Sequence, residues 1–424
     1  MVAQKGAREH FLAARALHQQ GSLASLVLDW YAPAGRLART VLAWLLGSSG
    51  RSALAARTDH IPDQLVRQLR WVGLWCKWKE REARRHRDHY AGFLATDAAF
   101  GRAVARMKLP AHDVFFGYSY ASLEMLEAER ARGVFTVLDQ IDPGPVHFRL
   151  VAEETARHPE LAGPPASFPA AYYARLQREW ELADVIVVNS EWSREAIVAE
   201  GADSAKIEIL PLAYQTEGRG QRAEGRGQRA EDGGQRAEGR GQRSEIRGQR
   251  AEDRHLRVLW LGQVTVGKGI HYLLEAARQL QQEAVEFTIA GPLHIRKEVL
   301  DTAPANVRWL GQVPRSQVGE LYAQADLFVF PTLSDGFGLT QLEALAHGLP
   351  VIATPNCGRI VQQGLTGFIV PPRDAKALAD AILKFVRNRK LPDEMRPRCL
   401  EAVKAFSVSR YGDRLLEIVA ERMA

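Results

Sequence analysis

Short apolar runs separated by longer stretches of helical spacing recur along both halves of this chain. In the second half the runs LRVLWLG, VEFTIAG, VRWLG, DLFVFP, PVIAT and GFIVP alternate with helical stretches that start near Lys268, Arg296, Arg315, Gly338 and Asp374. Buried β-branched runs separated by helices imply a parallel sheet covered on both faces. The first half is less regular. Its strand candidates are MVAQ, SLVLDW, DVFFGY, GVFTVLD, DVIVVNS and KIEILP, set between helical patterns such as AREHFLAARALHQQ and SEWSREAIVAEG. The pattern predicts an α/β protein of two Rossmann-like domains, residues 1–216 and 254–406, facing each other across a cleft. Ligands of such folds lie at the carboxyl ends of the strands. The final stretch, about 407–424, reads as a helix that packs back on the first domain.

Between the halves, residues 217–253 repeat every seven residues as EGRGQRA, EGRGQRA, EDGGQRA, EGRGQRS and EIRGQRA, with Ile246 the only large aliphatic. A heptad without apolar a and d positions has no seam to bury, so this insert is expected to be disordered and is set aside from the fold.

Composition narrows the class. The 424 residues exceed one ordinary core, and a hydrophobic fraction of 46% is globular. Nothing approaches 18 consecutive apolar residues, and no positively charged start leads into an apolar core, so the expectation is a cytoplasmic chain without signal peptide. Cys76, Cys357 and Cys399 are odd in number and far apart, which argues against a disulfide framework or a structural zinc site. His112, His294 and His347 stand alone, with no metal-ligand spacing. The net charge of +6 comes without any nucleic-acid signature, so no nucleic acid is expected. One helical pattern, Arg67 to His89, sets Trp71, Trp75 and Trp78 on one face among many Lys and Arg. Such a stripe is either core, with its charges on the wet side, or a peripheral contact with an anionic membrane surface.

Candidate chemistry concentrates in one place. Asp335 and Glu343 are the only Asp, Glu, Lys or Arg between Leu327 and Gly358, although a quarter of the chain is charged. They flank the turn Gly336, Phe337, Gly338, Leu339, where a glycine-rich entrance presents free N–H groups and the positive end of a helix. A carboxylate one turn into that helix reaches back toward a ligand there and suits vicinal hydroxyls of a sugar. The plain alternative is that Asp335 caps the helix and Glu343 is merely solvated. Lys268 follows Gly262 and Gln263 at another strand-to-helix turn, where a diphosphate is well received. It is otherwise a surface lysine. In the first half Asp139 ends the strand TVLD, as a hydrogen-bonding group, a base or a turn cap, and Gly6 follows the first strand, where it either lets backbone approach the acceptor side of the cleft or is a simple turn glycine.

The segment SDGFGLTQLEALAHGLPVIAT resembles the E-x7-E signature of retaining family 4 glycosyltransferases, with Asp335 in place of the first Glu and Glu343 matching the second. LGQVTVGKGIHYLLEAARQL, FTIAGP, QADLFVFPT and GLTGFIVPPRD resemble the donor domain of that family in order and spacing, and EWELADVIVVNSEWSREAIVAEGADSAKIEILPLAY resembles the end of its acceptor domain. The resemblance implies a GT-B fold and transfer of a hexose, with retention, from a nucleotide-diphosphate sugar to a glycan, lipid or small-molecule acceptor. It implies that Glu343 holds the ribose, that Asp335 and the amides of Phe337, Gly338 and Leu339 meet the sugar and phosphate, and that Lys268 neutralises the diphosphate. It further implies that the leaving diphosphate assists deprotonation. No cofactor follows, and no DxD pair suggests a metal. Two departures stand out: Gln263 where the family often has Arg, and Asp139 where His is common. A sugar-nucleotide epimerase or hydrolase of the same fold, or a catalytically silent binding protein, are the competing readings.

Overall fold

A computed structural model of the chain describes residues 1–31, 61–85, 89–163, 168–214 and 255–424. The heptad-repeat insert expected to be disordered lies outside the described residues. The chain divides into two compact units, one of 1–149, 166–213 and 406–424, the other of 150–165 and 214–405. Residues 150–165 therefore group with the second unit, although sequence places them in the first domain.

The first unit is built on a seven-stranded parallel sheet. Its strands are β1 (Val2–Gln4), β2 (Leu26–Leu28), β3 (Val66–Gln68), β4 (Val114–Tyr118), β5 (Phe135–Gln140), β6 (Val185–Val188) and β7 (Ile207–Ile209), in the order β3-β2-β1-β4-β5-β6-β7. The runs chosen from sequence form strands because both faces are covered: every residue of β1, β2 and β6 is buried. β3 escapes the sequence pattern because it is a partly exposed edge, VRQ, with no apolar run. The core of the unit gathers Phe100, Phe115, Leu126, Leu138, Leu176, Ile186 and Ile197. The C-terminal helix Val408–Met423 belongs to this unit, where Gly412 lies over Ala16 and Arg422 Nη2 pairs with Glu208 Oε1 at 2.6 Å.

The second unit carries six parallel strands: β8 (Leu256–Leu261), β9 (Val285–Ala290), β10 (Val307–Gly311), β11 (Leu327–Phe330), β12 (Val351–Ala353) and β13 (Gly367–Ile369), in the order β10-β9-β8-β11-β12-β13. Trp260, Phe287, Phe328, Leu342, Ile352 and Phe385 fill its core. In both sheets the chain winds outward one way and then the other. The reversal falls between β1 and β4 in the first sheet and between β8 and β11 in the second. At such a reversal the connecting helices leave on opposite faces and open a crevice at the carboxyl ends of the two strands.

The Trp71 helix corrects one of its two sequence readings. Helix Arg70–Arg85 turns its small residues inward: Gly73 leaves no room for a Cβ against the Asp29 carbonyl, Cys76 meets the Thr96 carbonyl at 3.7 Å, and Ala83 faces Gly92. Close helix packing at these small residues leaves the bulky ones outside. Trp71 is 84% exposed, Leu74 59%, Trp75 41% and Trp78 58%, so this stripe is not core. Among the described residues no helix is long and apolar enough to cross a membrane.

Candidate functional site

The second unit assembles its candidate site where β8 and β11 part. After β8 the chain runs through Gly262, partly buried, and Gln263, exposed, to a tight turn Val266–Lys268 and the helix Ile270–Gln279. Gly269 joins turn to helix at φ 67°, and a Cβ there would lie 1.9 Å from the Pro331 carbonyl oxygen. Only glycine lets the two loops touch at this point. The stretch after β11 is fastened to the same place: Leu333 N–H donates to Gly267 O at 2.9 Å, and Thr332 Oγ1 donates to it at 3.1 Å.

That fastening puts Lys268 beside Asp335, two residues that sequence placed in separate loops. The Lys268 ammonium lies 5.5 Å from the Phe330 ring centre and donates directly to Asp335 Oδ2. Asp335 Oδ1 accepts the Phe337 N–H at 3.2 Å, and the Asp335 N–H donates to Asn356 O at 2.9 Å. Asp335 thus organises the turn and does not cap the following helix, whose N-cap is Gly338 at φ 78°. Phe337 is buried, and its carbonyl is held by the Gly358 N–H and by Gln341 Nε2. Leu339 opens the helix Leu339–Ala346, with Gly336 and Gly338 buried just ahead of it.

Glu343 is half-buried on that helix, and its Oε2 accepts the Tyr322 hydroxyl at 2.9 Å. Tyr322 is 1% exposed and stacks on His347 with ring centres 4.9 Å apart. Burial, and then the Glu343 charge, push its phenol well above the usual range, so it stays a donor to the carboxylate. Glu343 is therefore an oriented acid and not a solvated one. Sequence reasoning missed Tyr322, which reads as an ordinary apolar-face residue of QVGELYAQ. It also missed Arg359, an exposed guanidinium whose charge reaches the buried Cys357 together with those of Asp335 and Lys268.

Asp139 and Gly6 lie in the first unit. Asp139 is 3% exposed at the end of β5, paired in register with Tyr118 of β4. Burial, and then the Glu9 charge, raise its carboxyl well above the normal range. Burial likewise pushes Glu9 up to about 7 despite Arg8. Gly6, at φ 82°, donates its N–H to Asp29 Oδ1 at 3.0 Å. Three non-glycine residues follow in the left-handed region, Glu9, His10 and Phe11, at φ 50°, 50° and 60°. Such strain persists only where surroundings enforce it and collects at functional loops. Nothing in the sequence pattern announces this run.

Two parallel-sheet units of this kind, each with its loops gathered at a strand reversal, define the GT-B class of fold. Residues 255–388 match the family described as group 1 glycosyl transferases. Over 99 residues the chain is 39% identical to probable sucrose-phosphate synthase 1 of Oryza sativa subsp. indica, a match covering 22% of this chain and 9% of that protein. It is 30% identical over 146 residues to the amylovoran biosynthesis glycosyltransferase AmsK of Erwinia amylovora, covering 31% and 36% respectively. The chain thus spans a tenth to about a third of the length of these relatives. Among solved structures, Anabaena HepE in complex with UDP and glucose superposes with a TM-score of 0.58 at 14% identity, covering 99% of this chain and 98% of that one. Sucrose-phosphate synthase of Thermosynechococcus elongatus gives 0.60 at 18% identity over the same shares. Across the whole chain this likeness is one of fold.

The left-handed Gly338 generates a test of the local geometry. A Cβ there would meet Phe330 at 2.6 Å and Gln341 Nε2 at 2.8 Å. Gly338→Ala is expected to destabilise the protein by about 1–3 kcal/mol, read by urea unfolding. Faster amide exchange should be confined to the first turn of the helix Leu339–Ala346. A variant as stable as the parent would show that the turn is not strained.

Proposed function

We propose that the protein is a retaining glycosyltransferase that moves a hexose from a nucleotide-diphosphate sugar to a hydroxyl of a glycan, lipid or small-molecule acceptor. The observation that carries this reading is the assembly at the β8/β11 reversal: one ammonium at a strand-to-helix turn, a bare glycine entrance to a second helix, and an acid held in orientation by Tyr322. Lys268 and the amides of Phe337, Gly338 and Leu339 receive the diphosphate, as helix N-termini and cations do for phosphates generally. Glu343 accepts the ribose hydroxyls. Before the donor arrives Lys268 is neutralised by Asp335; a diphosphate takes over the ammonium, and the freed Asp335 carboxylate turns to a hexose hydroxyl. The C1–O bond to the diphosphate breaks, the acceptor oxygen bonds to C1 from the same face, and the acceptor proton passes to the departing diphosphate. No carboxylate nucleophile or bound metal enters these steps. With Gln263 exposed in place of a second cation, Lys268 supplies most of the side-chain charge, and the exposed Arg359, whose charge reaches the same buried Cys357 as that of Lys268, is a candidate to add to it.

Preorganised charge at a leaving group is usually the largest catalytic contribution. Lys268→Ala should therefore lower the rate of nucleotide release from the preferred sugar nucleotide by about 10²–10³-fold, in an assay across a panel of donors and acceptors. Transfer to acceptor supports the proposal. Hydrolysis or epimerisation alone would select the enzyme alternative, and donor binding without turnover the silent binding protein.

On the acceptor side, Asp139 acts as a hydrogen-bonding group and not as a base, because burial at the end of β5 disfavours the charged form of its carboxyl. Asp139→Asn, which keeps a donor, should hold kcat/KM within about threefold of the parent, whereas Asp139→Ala loses about tenfold or more. Equal losses in both would point to the carboxylate as a base.

The exposed stripe supports peripheral membrane contact as part of the same reading. Exposed Arg70, Lys77, Arg81 and Arg85 run beside Trp71, Leu74, Trp75 and Trp78 on the outward side of the helix Arg70–Arg85. Bulky apolar side chains next to cations fit an anionic lipid interface. Co-sedimentation with phosphatidylserine-containing vesicles, but not with phosphatidylcholine alone, is expected. The triple change Trp71→Ala, Trp75→Ala, Trp78→Ala should reduce it about tenfold or more. Parent protein that ignores anionic vesicles would refute the contact.

A further inference from the structure

Away from the donor loops, the second unit contains a cluster of side chains that the proposed reaction does not use. Glu154, on the helix Pro145–Arg157, is fully buried at its side chain, and one ligand atom each from Glu154, His158 and His271 lies within 4.8 Å of the others. His271 Nε2 is 2.9 Å and His158 Nε2 3.6 Å from the same oxygen, Glu154 Oε1. Donor atoms around a tetrahedral cation with metal–ligand bonds of about 2.0–2.2 Å sit about 3.4 Å apart, so both separations lie near that value.

The groups around these three atoms divide the carboxylate in two. Arg373 Nε donates to Glu154 Oε2 at 2.7 Å and Arg157 Nη1 approaches that same oxygen at 3.6 Å, so the guanidiniums gather on Oε2 and leave Oε1 to the imidazoles and the Tyr272 hydroxyl. Arg373 holds its place from a left-handed backbone at φ 64°, a costly conformation for a side chain of its size. On the far side of the His158 ring, Nδ1 lies 3.2 Å from Glu160 Oε1, which fixes the ring with Nε2 toward Glu154. A carboxylate on the outer nitrogen of a ligating histidine is the usual second layer of a metal site. The buried His271 Nδ1 has no hydrogen-bond partner. Charges nearly balance, with Glu153, Glu154 and Glu160 set against Arg157 and Arg373.

We propose that Glu154, His158 and His271 bind one divalent transition-metal ion of the zinc class, with Glu160 orienting His158 and with solvent completing the coordination. Two imidazoles and one carboxylate oxygen suit zinc or cobalt over magnesium or calcium, which prefer oxygen alone. The ion would clamp the segment 150–165 to the helix Ile270–Gln279, so its role is structural. It is independent of the donor reading, and either can fail without the other.

The test uses the full chain without an affinity tag, treated with chelator, desalted, and then supplied with zinc chloride or cobalt chloride. About one zinc per chain should survive desalting, cobalt should give the visible absorption of a tetrahedral site, and zinc should raise the melting temperature by about 3–5 °C. His158→Ala changes a half-exposed side chain and keeps the fold by circular dichroism, so it is the decisive variant. It should lose the stoichiometric metal and the cobalt spectrum, and Glu160→Gln should weaken affinity about 10–100-fold. A parent chain that binds no stoichiometric zinc, or a His158→Ala variant that binds it as the parent does, overturns the proposal and leaves the cluster a hydrogen-bonded joint.

Discussion

One backbone contact sets the geometry of the second unit's site: Gly269 against the Pro331 carbonyl, with the Gly267 carbonyl taking hydrogen bonds from Leu333 and Thr332. β8 and β11 are neighbours in the sheet but far apart in sequence, and without this stitch their following loops would be independent. With it, an ammonium from one loop donates to a carboxylate from the other, and the helices Ile270–Gln279 and Leu339–Ala346 both follow loops fastened at this point. A Cβ at Gly269 cannot be accommodated, because the atom it meets is backbone and not the end of a flexible side chain.

The interaction also explains why so much of this unit was legible in sequence. β11 and β12 are buried throughout, so their apolar runs are unbroken; β8 and β9 bury most of their positions and keep mostly apolar letters, and the glycines that allow the close approaches are visible as letters. Asp335 and Glu343 stood out because no other Asp, Glu, Lys or Arg lies between Leu327 and Gly358. What the letters do not carry is pairing. Lys268 and Asp335 read as two separate ligand groups, and only the folded loops make them partners. Tyr322 is indistinguishable in sequence from other aromatic residues on the inner face of a helix, although its hydroxyl holds Glu343 in orientation. Glu154, His158 and His271 are each isolated letters, brought together by a helix end and a distant helix start.

The first unit was read less well, and for physical reasons. β3 is an exposed edge, the left-handed run Glu9 to Phe11 has no compositional signature, and residues 150–165 group with the other unit even though they continue a helix begun in this one. The tryptophan stripe shows the limit of periodicity most directly. Its spacing identifies a helix face correctly but not which way that face looks; Gly73, Cys76 and Ala83 decided the matter by permitting closer packing on their own side.

The account rests on a nucleotide diphosphate lying across the β8 and β11 loops. A crystal structure of the full chain with UDP, the nucleotide bound in the Anabaena protein of similar fold, tests it most directly. The account predicts ribose hydroxyls on the Glu343 carboxylate and the Lys268 ammonium moved from Asp335 onto a phosphate oxygen. Nucleotide bound elsewhere, or bound with the Lys268–Asp335 pair intact and Glu343 untouched, would contradict it.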